Sequence, residues 1–184
     1  MRRDPKTPSI AVIMGVSGAG KTVVGERLAE RLGWEFIEGD RLHPPENVAK
    51  MQSGQPLTDA DRAPWLAAMA RAIDAVKARG DRAIVTCSAL KRDYRRRIIG
   101  GRADARLVFL DGRRELIAER IAARGGHFMP ARLLDSQFAA LEPPGPDENP
   151  ISVAIDQPID RIVERIAMIL RPPRPFPPPR AGVG

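Results

Sequence analysis

The chain has 184 residues, 43% hydrophobic but only 4% aromatic, which allows one compact domain packed mainly by aliphatic side chains and alanine. No apolar run approaches the ~20 residues needed to cross a bilayer, and the basic amino end has no signal-peptide core. The single cysteine, Cys87, excludes an internal disulfide and suits a reducing cytosol, so the expected location is cytoplasmic. The net charge is +7, yet Arg2, Arg3 and Lys6 against Asp4, together with Arg171, Arg174 and Arg180, leave only +2 for residues 10–170. A nucleic-acid module concentrates basic residues on the folded domain itself, so such a partner is not expected.

Residues 1–9 read as a flexible basic segment, residues 10–171 as one domain, and residues 172–184 as a disordered tail rich in proline and arginine. Ile10-Ala11-Val12-Ile13-Met14 is a continuous apolar run, the pattern of a central strand buried on both faces. A glycine-rich turn follows, then a helix from about Lys21 to Leu32 that Gly33 ends. Trp34 to Ile37 is a second expected strand, and a short helix is expected around Asn47 to Met51. Thr58 is placed to cap the next helix, where Leu66, Met69, Ala70, Ile73 and Val76 recur at helical spacing until Gly80. Ala83 to Cys87 and Arg106 to Leu110 read as the third and fourth strands. A helix from about Arg113 to Arg124 leads through Gly125-Gly126 to another from about Pro130 to Leu141. Ile151 to Ile155 is the fifth strand, and Ile159, Ile162, Val163, Ile166 and Leu170 form the buried stripe of the last helix. Strands alternating with helices predict a parallel sheet covered on both faces.

The turn after the first strand is Gly15-Val16-Ser17-Gly18-Ala19-Gly20-Lys21-Thr22. Its glycines let the backbone aim several N–H groups at one point, and the helix that starts at Lys21 adds its positive end, so the segment is built to hold phosphate. The Lys21 ammonium can reach the β- and γ-phosphates of a nucleotide, and the Thr22 hydroxyl can ligate Mg²⁺. This predicts ATP and magnesium as cofactors and leaves the acceptor of the phosphoryl group open.

Further along come Glu38-Gly39-Asp40-Arg41-Leu42-His43-Pro44, Asn47, Lys50-Met51 and Gly54-Gln55-Pro56-Leu57-Thr58-Asp59 with Asp61-Arg62 and Pro64-Trp65-Leu66. After these stand Cys87-Ser88-Ala89-Leu90-Lys91 with Tyr94-Arg95, and Gly126-His127-Phe128-Met129 with Ser136-Gln137-Phe138. Together with the phosphate loop, and in this order from about Ile10 to Leu170, these blocks resemble the gluconate kinases. The resemblance implies an α/β P-loop kinase fold, a five-stranded parallel sheet in the order 2-3-1-4-5, a lid at about 124–141, and transfer of phosphate from ATP to gluconate to give 6-phosphogluconate. It also suggests a homodimer. There are departures: Ala19 stands where the family often has Ser or Asn-like small residues, Thr22-Val23 where it often has Ser-Thr after the lysine, and Arg96 where an acid often follows Tyr94-Arg95, while the two proline- and arginine-bearing ends have no counterpart in the family pattern.

Phosphoryl transfer needs charge neutralisation and in-line positioning. Asp40, at the end of the second strand, is the candidate to accept a substrate hydroxyl proton or to hold water on Mg²⁺; its alternative role is to cap the following loop. His43 can hydrogen-bond sugar hydroxyls. A substrate carboxylate calls for a forked cation, and the candidates are Arg62, Lys91 and Arg95, with Ser88 offering a hydroxyl. For Arg62 the alternative is a surface pair with Asp59 or Asp61. Arg92, Arg96 and Arg97 read as a solvated helix face. Arg120 and Arg124 lie four apart and are candidates to neutralise charge on the transferred group as the lid closes about Gly125-Gly126. His127 would travel with the lid, and Gln137 would touch substrate or nucleotide. Cys87, Trp34 and Trp65 read as packing residues. The competing functions are a kinase of another small acceptor, such as shikimate or a nucleoside monophosphate, and a nucleotide-dependent binder of RNA or an acidic partner through its basic tail.

Overall fold

The computed structural model describes residues 8–123 and 131–171. The apolar runs become five strands: β1 (Ile10–Met14), β2 (Glu35–Glu38), β3 (Ala83–Thr86), β4 (Ala105–Asp111) and β5 (Ile151–Ala154). They form one sheet in the order β2-β3-β1-β4-β5, every pair parallel. The helices are α1 (Lys21–Leu32), α2 (Pro45–Gln52), α3 (Asp59–Ala78), α4 (Arg92–Ile99), α5 (Arg114–Ala123), α6 (Ala131–Ala140) and α7 (Ile159–Leu170). The parallel sheet is as the strand–helix alternation predicts, and its strand order is as the family resemblance implies.

β1 shows no alternation because both its faces are covered. Ala11 and Ile13 pack with Val24 and Leu28 of α1 and Ile162 and Ile166 of α7. Ile10, Val12 and Met14 pack on the other side with Leu66, Met69 and Ile73 of α3 and Ile98 of α4. β5, at an edge, buries only Ile151 and Val153. Thr58 caps α3 as expected: its Oγ1 accepts from the Asp61 N–H at 3.2 Å, and its own N–H donates to Asp61 Oδ2 at 2.7 Å.

Element ends differ from expectation by a residue or two, and one difference has a clear cause. Trp34 is not in β2, because its N–H donates to Ala29 O at 2.9 Å and completes the turn that ends α1 at Gly33. The ladder therefore starts at Glu35. At the amino end Ser9 already belongs to the folded domain: it is buried, its N–H donates to Asp104 O at 2.9 Å and its hydroxyl to Asp104 Oδ2 at 2.6 Å. The rest of the expected flexible start and the proline-rich tail lie outside the described residues. Among the described residues no helix is long and apolar enough to cross a membrane.

Candidate functional site

The carboxyl ends of β1, β2 and β3 meet at one edge of the sheet, where parallel α/β folds bind their ligands. From β1 the chain enters the phosphate loop, with Gly15, Gly18 and Gly20 at φ of 150°, 84° and 96°. Gly20 is the N-cap of α1 and supplies no side-chain cap. The first-turn N–H groups of α1 are therefore left to an anion. α5 crosses over the loop so closely that a Cβ on Gly18 would lie 2.8 Å from Ile121 Cγ1. α6 reaches it too: Gln137 Oε1 accepts the Ser17 N–H at 2.7 Å. The sequence marks Gln137 as a candidate; the structure seats it on the phosphate loop itself.

Lys21 lies half-buried, with Nζ donating to Gly15 O at 3.0 Å and Val16 O at 3.1 Å. Burial lowers its pKa, against the opposing pull of Asp40 first and then of Cys87 and Glu38. Asp40 and Glu38 therefore both lie within electrostatic reach of the ammonium. Burial pushes the Cys87 thiol up to about 12, so it stays neutral, as a packing residue would.

The sequence assigns no role to Glu38, yet its carboxylate joins two strands and the loop. Thr22 Oγ1 donates to Glu38 Oε2 at 2.8 Å, and Thr86 Oγ1 donates to Oε1. The next residue must be glycine, since a Cβ on Gly39 would sit 2.0 Å from Thr86 O. Trp65 Nε1 donates to Gly39 O at 2.8 Å, which fixes the short 3₁₀ turn Gly39–Leu42 that carries the exposed Asp40.

Trp65 does more than pack. His43 stacks on its ring, with centroids 4.1 Å apart and 14° between planes. Buried Asn47 donates from Nδ2 to Asp61 O at 2.8 Å and lies 3.3 Å from His43 Nδ1. Because the Asp61 carbonyl can only accept, Nδ2 must face this way, and its second proton meets His43 Nδ1. That leaves Nε2 to carry the imidazole proton. Burial lowers the His43 pKa, with Asp40 opposing and Arg62 adding to the effect. The ring is thus a neutral, oriented hydrogen-bond donor at pH 7.

Arg62 donates from Nη1 to Leu57 O and lies 3.9 Å from Asp59 Oδ1. Of the two acids the sequence offers it, Asp61 goes instead to Lys50 at 2.7 Å, which with Thr58 holds the Asp61 carboxyl down to about 2. Lys91 Nζ binds both Asp59 oxygens at 2.9 Å. Ser88 meets the phosphate loop through its carbonyl, which accepts from the Gly15 N–H at 3.4 Å. Arg97 pairs with Asp93 on the exposed side of α4, as expected of a solvated face, whereas Arg92 is half-buried and pairs with Asp147.

Arg95 differs from the sequence expectation. It is only 2% exposed, with Nε and Nη2 on Glu148 at 2.6 and 2.8 Å and Nη1 on the Ala89 and Leu90 carbonyls. Its fork is engaged inside the protein, holding the loop after β3, and is not presented to a substrate carboxylate. The acid that steers it comes from position 148, so Arg96 does not disturb it. Removing one partner of a buried pair leaves the other charge uncompensated, so Arg95→Ala is expected to lower unfolding stability by about 3–5 kcal/mol, measured by urea unfolding at pH 7. Arg95 holds the Glu148 carboxyl below its ordinary value. The pair's contribution is therefore complete above the ordinary glutamate pKa and lost as pH falls through the lowered folded one. The stability curves of the two proteins should converge in acid, and parallel curves would refute the pairing.

Arg120 is half-buried, and its guanidinium donates to Ile155 O beyond β5, tying α5 to the far half of the sheet. Arg124 and His127, with the Gly125-Gly126 hinge, lie outside the described residues.

A family profile described as an AAA domain matches residues 10–144. The gluconokinase of Gluconobacter oxydans (strain 621H) is 52% identical over 160 residues, covering 86% of this chain and 89% of that protein. The chain belongs to the gluconokinase family. The thermoresistant gluconokinase of Escherichia coli (strain K12) is 40% identical, covering 88% of this chain and 93% of its own. The crystal structure of a gluconokinase from Sinorhizobium meliloti 1021 superimposes with a TM-score of 0.81 at 45% identity, over 90% of this chain and 93% of the other. Membership in a kinase family accords with a loop that offers backbone N–H groups and a lysine to phosphate.

Proposed function

We propose that this protein transfers the γ-phosphoryl group of ATP to D-gluconate, giving 6-phospho-D-gluconate and ADP. The observation that carries this reading is the convergence of Lys21, Asp40 and oriented His43 at one sheet edge, in a chain of the gluconokinase family. The substrate hydroxyl oxygen attacks γ-phosphorus as the bond from phosphorus to the β–γ bridging oxygen breaks, and the hydroxyl proton passes to the Asp40 carboxylate. The loop N–H groups and Lys21 neutralise the charge on the phosphoryl oxygens. His43 Nε2–H binds a sugar hydroxyl, while Arg62 and Lys91 take the carboxylate. A single buried free cysteine, Cys87, is in keeping with a cytoplasmic location.

Thr22 and Glu38 fit a magnesium ion. Thr22 donates its proton to Glu38, so its oxygen lone pairs stay free to ligate, and both groups are hard oxygen donors. Among the described residues no cluster of three or more His, Cys, Asp or Glu could hold a metal unaided. That matches an ion held by few protein oxygens together with phosphates. When bound, the ion would neutralise β- and γ-phosphate charge. Glu38→Gln is expected to raise the Mg²⁺ concentration for half-maximal rate by about tenfold or more. An unchanged magnesium titration would remove Glu38 from the site.

The function is tested by ADP release coupled to a spectrophotometric readout, over a panel of sugar acids, shikimate and nucleoside monophosphates. Gluconate is expected to stand well above the others. Equal turnover of shikimate would sink the assignment.

A further inference from the structure

Asp59 is the first residue of α3, and donors from two helices converge on its carboxylate. Lys91 Nζ lies 2.9 Å from each oxygen, the Tyr94 hydroxyl donates to Oδ1, and Arg62 Nη1 stands 3.9 Å away. Both cations also lie against the Tyr94 ring, 5.5 Å and 5.8 Å from its centroid. Two cations and a phenol around one carboxylate form a complete receptor for a carboxylate, and here an internal one fills it. The Asp59 side chain is nonetheless 64% exposed. Nor does the start of α3 depend on it, since Thr58 and Asp61 form the capping box.

We propose that Asp59 is an internal stand-in for the substrate carboxylate and so a specificity-determining residue. It keeps Lys91, Arg62 and Tyr94 assembled as an anion clamp and yields them to the carboxylate of the acceptor. This rests on the proposed function, in which Arg62 and Lys91 bind that group. Two carboxylates sharing one set of donors repel each other, so Asp59 must turn away as the substrate binds. It can do so into water while remaining in the first turn of α3, where the helix end still favours its charge. An uncharged polyol brings nothing that can displace a carboxylate from two cations. The clamp therefore admits acids and ignores neutral sugars.

The test uses the full chain with gluconate and with the corresponding uncharged six-carbon polyol. Relative to wild type, Asp59→Asn is expected to lower the KM for gluconate about three- to tenfold, since the incoming carboxylate no longer competes for charge-assisted bonds. The effect should fall on KM rather than kcat, and the KM for the polyol should not follow it. A raised KM for gluconate would overturn the proposal and make Asp59 a fixed support of the cations. An unchanged KM would reduce it to a surface pair. Lys91→Met separates the two levels of inference. If it raises the KM for gluconate while Asp59→Asn does not lower it, only the stand-in role fails. If Lys91→Met has no effect, the carboxylate site itself is misplaced and the proposal falls with it.

Discussion

Lys21→Ala is expected to lower kcat for gluconate-dependent ADP release by about 10³-fold, in a protein that stays folded. Lys21 Nζ lies against the Gly15 and Val16 carbonyls, so it adds one full positive charge to the partial charges that the loop's backbone N–H groups carry. The cost of keeping it there is visible in its titration. Burial lowers its pKa, so the charged lysine costs the fold stability at neutral pH. That cost is relieved as pH rises through the lowered folded value toward the ordinary lysine range, because there the unfolded chain binds more protons. Removing the side chain frees the fold of this burden while leaving two loop carbonyls without their donor. These effects oppose each other, so the melting temperature is expected to stay within a few degrees of wild type while turnover collapses. Near-normal turnover, or unfolding in place of inactivation, would overturn the role of Lys21.

Asp40→Asn is expected to reduce kcat by roughly 10²- to 10⁴-fold, the range lost with a general base. The change keeps the shape of the side chain and removes its charge and basicity. Two further consequences follow from the neighbours that Asp40 influences. Lys21 and His43 both lose the charge that raises their pKa values, so both should titrate lower in the variant. For His43 this can be read by NMR as a downward shift of the imidazole titration. If the KM for ATP and the Mg²⁺ requirement change instead of kcat, Asp40 acts on the metal through water. If neither changes, it belongs to the loop alone.

The elements most legible in the sequence are those whose pattern reports burial on two sides. β1 is such a case, whereas the phosphate loop is legible because its glycine spacing follows from local backbone geometry. Thr58 and Asp61 are legible because a capping box is contained within four residues. Other features depend on partners distant in the chain. The choice of Arg95 between substrate and scaffold is decided by Glu148, 53 residues away, and nothing near position 95 announces it. Glu38 finds Thr86 across the β2–β3 ladder, so its role emerges only with the register that sets those two residues side by side. Gln137 can be suspected from its motif, but its hold on Ser17 spans 120 residues. Asn47 is quoted in the family blocks, yet its work of fixing the His43 tautomer needs the Asp61 carbonyl in place. The misplaced start of β2 is a local competition that the turn after α1 wins over Trp34.

The strand order carries a consequence for how the protein is made. β1 leaves the ribosome first, yet its neighbours in the sheet begin at Ala83 and Ala105, so the strand bearing the phosphate loop waits for most of the chain before it is flanked on both sides. Contacts this distant in sequence form slowly, because the intervening chain must be ordered before they can reward it. A loop whose strand still lacks both neighbours is not yet held in the geometry described above, so ATP is expected to stabilise late chain products better than early ones. A truncated product ending before β4 is expected to leave one edge of the apolar β1 unpaired.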